Sequence, residues 1–233
     1  MSTGSDRRLK LGAIKRWPSR RAKSWAINEL SCFASNSDTA AIIAIGSAVR
    51  SMHHRGSDVD FLVVSDTETT TDASRPIEVD LRTFRTSEVN SKVRECDEFL
   101  ASALRFGCTI FDREGFWARV CAQWADQLPF PSPELSIRRA LRCARFASQL
   151  VSMGDLDAAL EQVIGMLTHT CRAKLFAAHV YPASRPELPA QVRELGEHIL
   201  PDSLDLALQH RQIHPDILRR MKATDAVSVP YLS

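Results

Sequence analysis

The feature that most constrains this chain is an apolar run that ends in a tight turn and is answered, ten residues later, by two closely spaced carboxylates. The run is Ile42-Ile43-Ala44-Ile45 and the turn is Gly46-Ser47. The carboxylates open the segment Asp58-Val59-Asp60-Phe61-Leu62-Val63-Val64, directly after Ser57. In an extended chain, positions i and i+2 share a face. Asp58 and Asp60 therefore point one way while Val59 and Phe61 point into a core. Two carboxylates side by side repel each other unless a cation lies between them. An all-oxygen donor set suits a hard cation, and Mg²⁺ is the expected one. A glycine in the turn lets a ligand approach the backbone closely, and the adjoining serine hydroxyl and N–H can meet phosphate oxygens. Arg50, three residues beyond Ser47, is the loop cation best placed to touch phosphate. His53 and His54 read as solvated.

A chain of 233 residues is long enough for one large domain or two small ones. No apolar run approaches the roughly 20 residues that span a bilayer, and the N-terminus lacks the pattern of a secretory signal. A cytoplasmic protein with no membrane partner is expected. The six cysteines are scattered, without a CxxC pair or zinc spacing, and read as reduced. The net charge of +2 says little, but its distribution says more. Arg7, Arg8, Lys10, Lys15, Arg16, Arg20, Arg21 and Lys23 occur with no acid among residues 7 to 23. Residues 1–23 read as a solvated basic arm, with contact to phosphate or nucleic acid as the sharper alternative.

Helical spacing of Trp25, Ile27, Leu30 and Phe33 predicts a helix over 24–35. The continuous apolar run at 40–45 predicts a strand covered on both faces. Ile77-Glu78-Val79-Asp80-Leu81 alternates as a strand, with Ile77, Val79 and Leu81 inward. Its Asp80 is a natural third carboxylate beside Asp58 and Asp60. A single helix is expected over 87–104, a short strand over 108–111 and a helix over 116–127. Pro129, Pro131 and Pro133 mark a boundary. Beyond it the strand signals stop. Ser132 and Pro133 start a helix, Gly154 ends it, and Asp155 caps a second that runs to about 178. Shorter helices are expected over 189–200, 202–211 and 215–223. The domains expected are 24–128 and 133–233, after the arm.

Gly46-Ser47, the Asp58-Val59-Asp60 pair and a later Asp80 together resemble the nucleotidyltransferase superfamily that includes DNA polymerase beta. The surrounding Gly-Ser-x-x-Arg and Ser-Asp-Val-Asp-Phe-Leu-Val-Val are most similar to the minimal and aminoglycoside (kanamycin-type) members. Residues 25 to 112 carry the resemblance, and 134 to 188 extend it more weakly. One departure is Ser51, where many relatives have glycine. The resemblance implies an α+β protein: a nucleotidyltransferase domain with a small mixed sheet flanked by helices, followed by a C-terminal helical bundle.

It further implies transfer of an NMP from an NTP, with ATP the expected donor, to a hydroxyl by in-line displacement of pyrophosphate. Two Mg²⁺ ions serve such a displacement. Asp58, Asp60 and Asp80 are the catalytic and metal-binding candidates, and Gly46, Ser47, Arg50 and Ser57 the nucleotide-binding ones. Asp80 can take the hydroxyl proton. Glu134 and Glu161 are alternative bases, and Lys174 and Arg185 are candidates for the triphosphate. The expected acceptor is a small hydroxylated molecule, an aminoglycoside-like antibiotic first. RNA or protein is the alternative acceptor, and a non-catalytic nucleotide-binding module the other alternative. A homodimer is compatible with the resemblance.

Overall fold

A computed structural model describes residues 9–50, 58–67 and 75–223. Contacts divide the chain into two compact units, Met1–Pro129 and Phe130–Ser233.

The first unit is built on four strands: β1 (Thr39–Ile45), β2 (Val59–Ser65), β3 (Val79–Phe84) and β4 (Cys108–Asp112). Their order is β3-β2-β1-β4, with β1 antiparallel to β2 and β4, and β2 parallel to β3. The sheet is mixed, as the resemblance implies. Residue parity decides which core each side chain joins. Ile42, Ala44, Val59, Phe61, Val63 and Val79 face the helix α1 (Arg20–Ser35), against Trp25, Leu30 and Phe33. Ala41, Ile43, Ile45, Leu62 and Val64 face α2 (Thr86–Arg94), α3 (Glu98–Phe106) and α4 (Phe116–Trp124). Because β1 is covered on both sides, it reads as an unbroken apolar run.

Three expectations need correction. The helix foreseen over 87–104 is two helices. Cys96 takes a left-handed φ of 61°, and Asp97 caps α3 by accepting from the N–H groups of Phe99 (3.0 Å) and Leu100 (2.9 Å). The strand foreseen from Ile77 begins at Val79, and Ile77 is 97% exposed in a turn instead of facing inward. The basic segment is not a free arm from residue 9 onward. Leu9, Leu11, Ile14 and Trp17 pack on the α1 side of the sheet, and α1 starts at Arg20, four residues earlier than expected. Ser19 caps it by accepting from the Ala22 N–H at 3.0 Å. The apolar residues between the cations were the missed signal.

The second unit is helical: α5 (Pro133–Ser152), α6 (Leu156–Ala177), α7 (Leu188–Glu194), α8 (Ile199–His210) and α9 (Pro215–Ala223). Ser132 caps α5 with proline in its first turn, and Asp155 caps α6, accepting from Ala158 N–H at 3.0 Å. Small residues Ala140, Ala144 and Ala147 bring α5 close to α6, whose Leu160, Val163, Ile164, Leu167 and Leu175 fill the core. None of the six cysteines is joined in a disulfide. Among the described residues no helix is long and apolar enough to cross a membrane.

Candidate functional site

The carboxylates meet at the starts of β2 and β3. In the parallel ladder Asp60 is the register partner of Asp80, and on its other side Asp60 faces Ile45, the last residue of β1. The chain continues from Ile45 into Gly46. One row across three strands thus brings the apolar run, the turn and two of the acids together. By parity Asp60 and Asp80 lie on the sheet face covered by α2–α4, while Val59, Phe61 and Val79 fill the opposite core.

Gly46 has a φ of +85°, a conformation that side chains rarely adopt. A Cβ there would stand 2.5 Å from Asp60 Oδ2. Both the backbone and the neighbouring carboxylate therefore require glycine, and the turn is shaped to Asp60. The Ser47 carbonyl accepts from the Arg50 N–H at 3.2 Å, which closes the turn.

Asp60 is half-buried, and its carboxyl is pushed up to about 6. Burial is the largest cause, followed by the charges of Asp80 and Asp58; Arg82 acts in the opposite sense. The Arg82 Nε lies 3.6 Å from Asp80 Oδ2, and its guanidinium covers the Phe99 ring at 4.4 Å. Sequence reasoning missed Arg82. The signal was available: it stands two residues after Asp80 on the same strand and so shares its face.

The other expected residues fall as follows. Asp58 is exposed and immediately precedes β2. Arg50 lies with its guanidinium 4.6 Å from the centroid of the Phe106 ring. Ser57, His53 and His54 lie outside the described residues. In the helical unit, Glu161 pairs with Arg211 at 2.6 Å and Lys174 with Glu197 at 2.6 Å. Glu134 is an exposed first-turn residue of α5, and Arg185 is exposed.

The donors suit a hard divalent cation in their chemistry. They are all oxygen, and Asp60 carries a repulsion that a cation would relieve. Among the described residues, no three Asp, Glu, His or Cys side chains form a closed metal cage. The fit rests on the Asp60–Asp80 pair, with Asp58 flanking it.

Residues 28–104 match the family model described as the nucleotidyltransferase domain, a span that includes Gly46, Ser47, Asp58, Asp60 and Asp80. No curated protein matches the sequence. Among solved structures, the chain is similar to a nucleotidyltransferase-like protein from Exiguobacterium sibiricum 255-15. The identity is 20%, with 85% of this chain and 70% of that chain covered and a TM-score of 0.43.

Proposed function

We propose, from the match of residues 28–104 to the nucleotidyltransferase domain, that this chain transfers an NMP from an NTP to an acceptor hydroxyl. The observation that carries this reading is the row Ile45–Asp60–Asp80, with Gly46 folded against the Asp60 carboxylate. The acceptor oxygen attacks the α-phosphorus, the bond to the bridging oxygen breaks, and pyrophosphate leaves. Asp80 accepts the proton that the hydroxyl sheds, a contribution worth roughly 10²- to 10⁴-fold. The Gly46 and Ser47 backbone cradles the outgoing phosphates, because a turn without a side chain lets them approach its N–H groups. Asp58, Asp60 and Asp80 would hold divalent cations, Mg²⁺ by donor chemistry. When bound, these supply charge neutralisation at the attacking and leaving oxygens. ATP is the proposed donor.

For the acceptor, a small hydroxylated molecule of aminoglycoside type follows from the resemblance. A polycation of that kind needs carboxylates to face it. The exposed cations Lys10, Lys15, Arg16, Arg20, Arg21 and Lys23 favour the second reading, an RNA or protein acceptor. The test is incubation of the protein with each labelled NTP and Mg²⁺ against aminoglycosides, proteins and RNA. Transfer to one acceptor class is expected, with its loss in Asp60→Ala. Mg²⁺-dependent turnover that survives in Asp60→Ala would sink the assignment.

A further inference from the structure

Between Leu9 and Ser19 the chain forms a strap over the α1 side of the sheet. The Lys10 N–H donates to the Ile110 carbonyl at 2.9 Å, and the Lys15 N–H donates to the Ala48 carbonyl at 3.2 Å. Ala48 follows the Gly46-Ser47 turn directly. The Trp17 ring stands 6.4 Å from that of Phe61, the residue after Asp60. The strap therefore lies on the sheet face opposite to Asp60 and Asp80, and it reaches the end of the turn that abuts Asp60 through Lys15 and Ala48.

Its apolar side chains face the core, and its cations face out. Lys10, Lys15, Arg16, Arg20, Arg21 and Lys23 are all exposed. None of these six side chains has an ion-pair, hydrogen-bond or ring partner among the described residues. Several cations elsewhere in the unit do have partners. Lys92 pairs with Glu95, Arg94 covers Trp124, Arg113 donates to three carbonyls and Arg119 donates to the Glu114 carbonyl.

Local stability does not account for the strap's charges. Arg20, Arg21 and Lys23 stand in the first turn of α1, which holds no acid. The helix dipole makes that end positive, so cations there cost stability, roughly 0.3–1 kcal/mol each at low salt. An external anion reverses the sign of that cost. A small anion would be held by cations converging in a pocket, whereas these are strung along an extended segment and a helix start. Such spacing fits a polymer with repeating charge. An anionic membrane would call for outward apolar anchors, but Leu9, Leu11, Ile14 and Trp17 turn inward.

We propose that the strap and the first turn of α1 bind the phosphodiester backbone of a nucleic acid, whose hydroxyl is the acceptor. The acceptor half rests on the nucleotidyl-transfer reading; the binding half stands without it. The experiment measures anisotropy of labelled RNA and DNA single strands of about 20 nucleotides with the full-length protein, without NTP. Affinity is expected to fall between roughly 50 and 200 mM salt, with a log–log slope of about −2 to −4 for three to six neutralised phosphates. Arg16→Glu/Arg21→Glu/Lys23→Glu is expected to weaken binding at least about tenfold and flatten the slope by about 2. The corresponding Gln variants, which keep size and polarity, shift binding in the same direction. Arg75→Glu/Arg105→Glu, which changes two exposed cations outside the strap, leaves affinity within about twofold.

Salt-independent association, equal loss in the Arg75/Arg105 variant, or equal binding to polyglutamate or anionic vesicles overturns the proposal. With NTP and Mg²⁺ added, labelling of the bound strand is expected. Strand binding with label moving only to another acceptor overturns the acceptor half. Strand binding with no transfer to any acceptor overturns the nucleotidyl-transfer reading and leaves the binding half standing.

Discussion

Asp60 in the sheet unit and His169 in the helical unit are mirror cases. Each is driven toward its neutral form first by burial and then by like charges. Asp80 and Asp58 help raise Asp60 to about 6, and Arg172, Arg139 and Arg185 help lower His169 to about 4. Their surroundings differ in what answers the crowding. At Asp60, Arg82 partly offsets the repulsion, and the Gly46 turn lies against the carboxylate. At His169, Nδ1 is buried without a hydrogen-bond partner, and so are Ser136 Oγ and Thr168 Oγ1. The origin of the crowding differs as well. Strand register sets one case. The pairing of α5 with α6 sets the other: Gly165 faces Cys143, with 3.1 Å from a Cβ there to Sγ, which brings Arg139 level with His169 one turn further on. Crowding of acids around a shaped turn marks a place built for a cation. Crowding around His169 is a cost that the packed hairpin carries.

The largest expected effect breaks this comparison at its first member. Asp60→Asn is expected to lower transfer by at least about 10³-fold, the order seen when a preorganised charge is lost from a phosphoryl-transfer site. The same variant should be more stable than the parent at neutral pH without divalent cation. An acid whose folded pKa is raised carries a penalty above about 6 that is shed as pH falls toward 3.8. Removing the charge should then gain about 1–2 kcal/mol at pH 7 after allowance for solvent screening, and nothing below about pH 4. Thermal melts at both pH values check this, and a destabilised variant at pH 7 would contradict the account.

Next in size is Gly46→Ala. Left-handed strain of roughly 1–3 kcal/mol adds to the clash with Asp60 Oδ2. Activity is expected to fall about 100-fold, because a displacement of even 1 Å at the reacting groups has that cost. Kinetics alongside urea melts would separate the two effects. Normal turnover would mean that the turn does not touch the reaction.

His169 gives the intermediate effect. Its folded pKa of about 4 lies below the ordinary 6.5, so the unfolded chain binds the extra proton between those values. Stability is therefore complete above about pH 6.5 and declines as pH falls to about 4, by about 2 kcal/mol after discounting for exposure. Denaturant titrations from pH 7 to 4 should show this slope in the parent and a flatter one in His169→Gln. A parent with no slope would remove His169 from the comparison.

The smallest effect is that of Arg82→Ala. Its pair with Asp80 is about half exposed on each side, so stability should change by less than about 0.5 kcal/mol. The Asp60 carboxyl should titrate higher still, since Arg82 is the charge that opposes its rise. Carboxyl chemical shifts followed against pH would show it.

The site was legible in the sequence wherever it depended on strand parity. Asp58-Val59-Asp60 and Val79-Asp80-Leu81 alternate, so their acids and apolar residues separate without any knowledge of neighbours. The two-helix break at Cys96 and Asp97 was masked because apolar residues on both sides keep helical spacing across it. The strap was masked by its own charge: eight cations between Arg7 and Lys23 outweigh Leu9, Leu11, Ile14 and Trp17 in any reading by composition. Arg82 could have been found by applying to β3 the same i, i+2 rule that found Asp60.

Local periodicity was enough to determine the strands around the acids, the change to helices after the prolines, and which acids share a face, while the mixed sheet came from the resemblance. Only the tertiary structure decided that Asp80 stands opposite Asp60, that Gly46 abuts the Asp60 carboxylate, and that Arg139 reaches the level of His169. Those facts depend on the register between elements far apart in the chain. Side-chain periodicity fixes the face a residue takes, but not the partner it meets there.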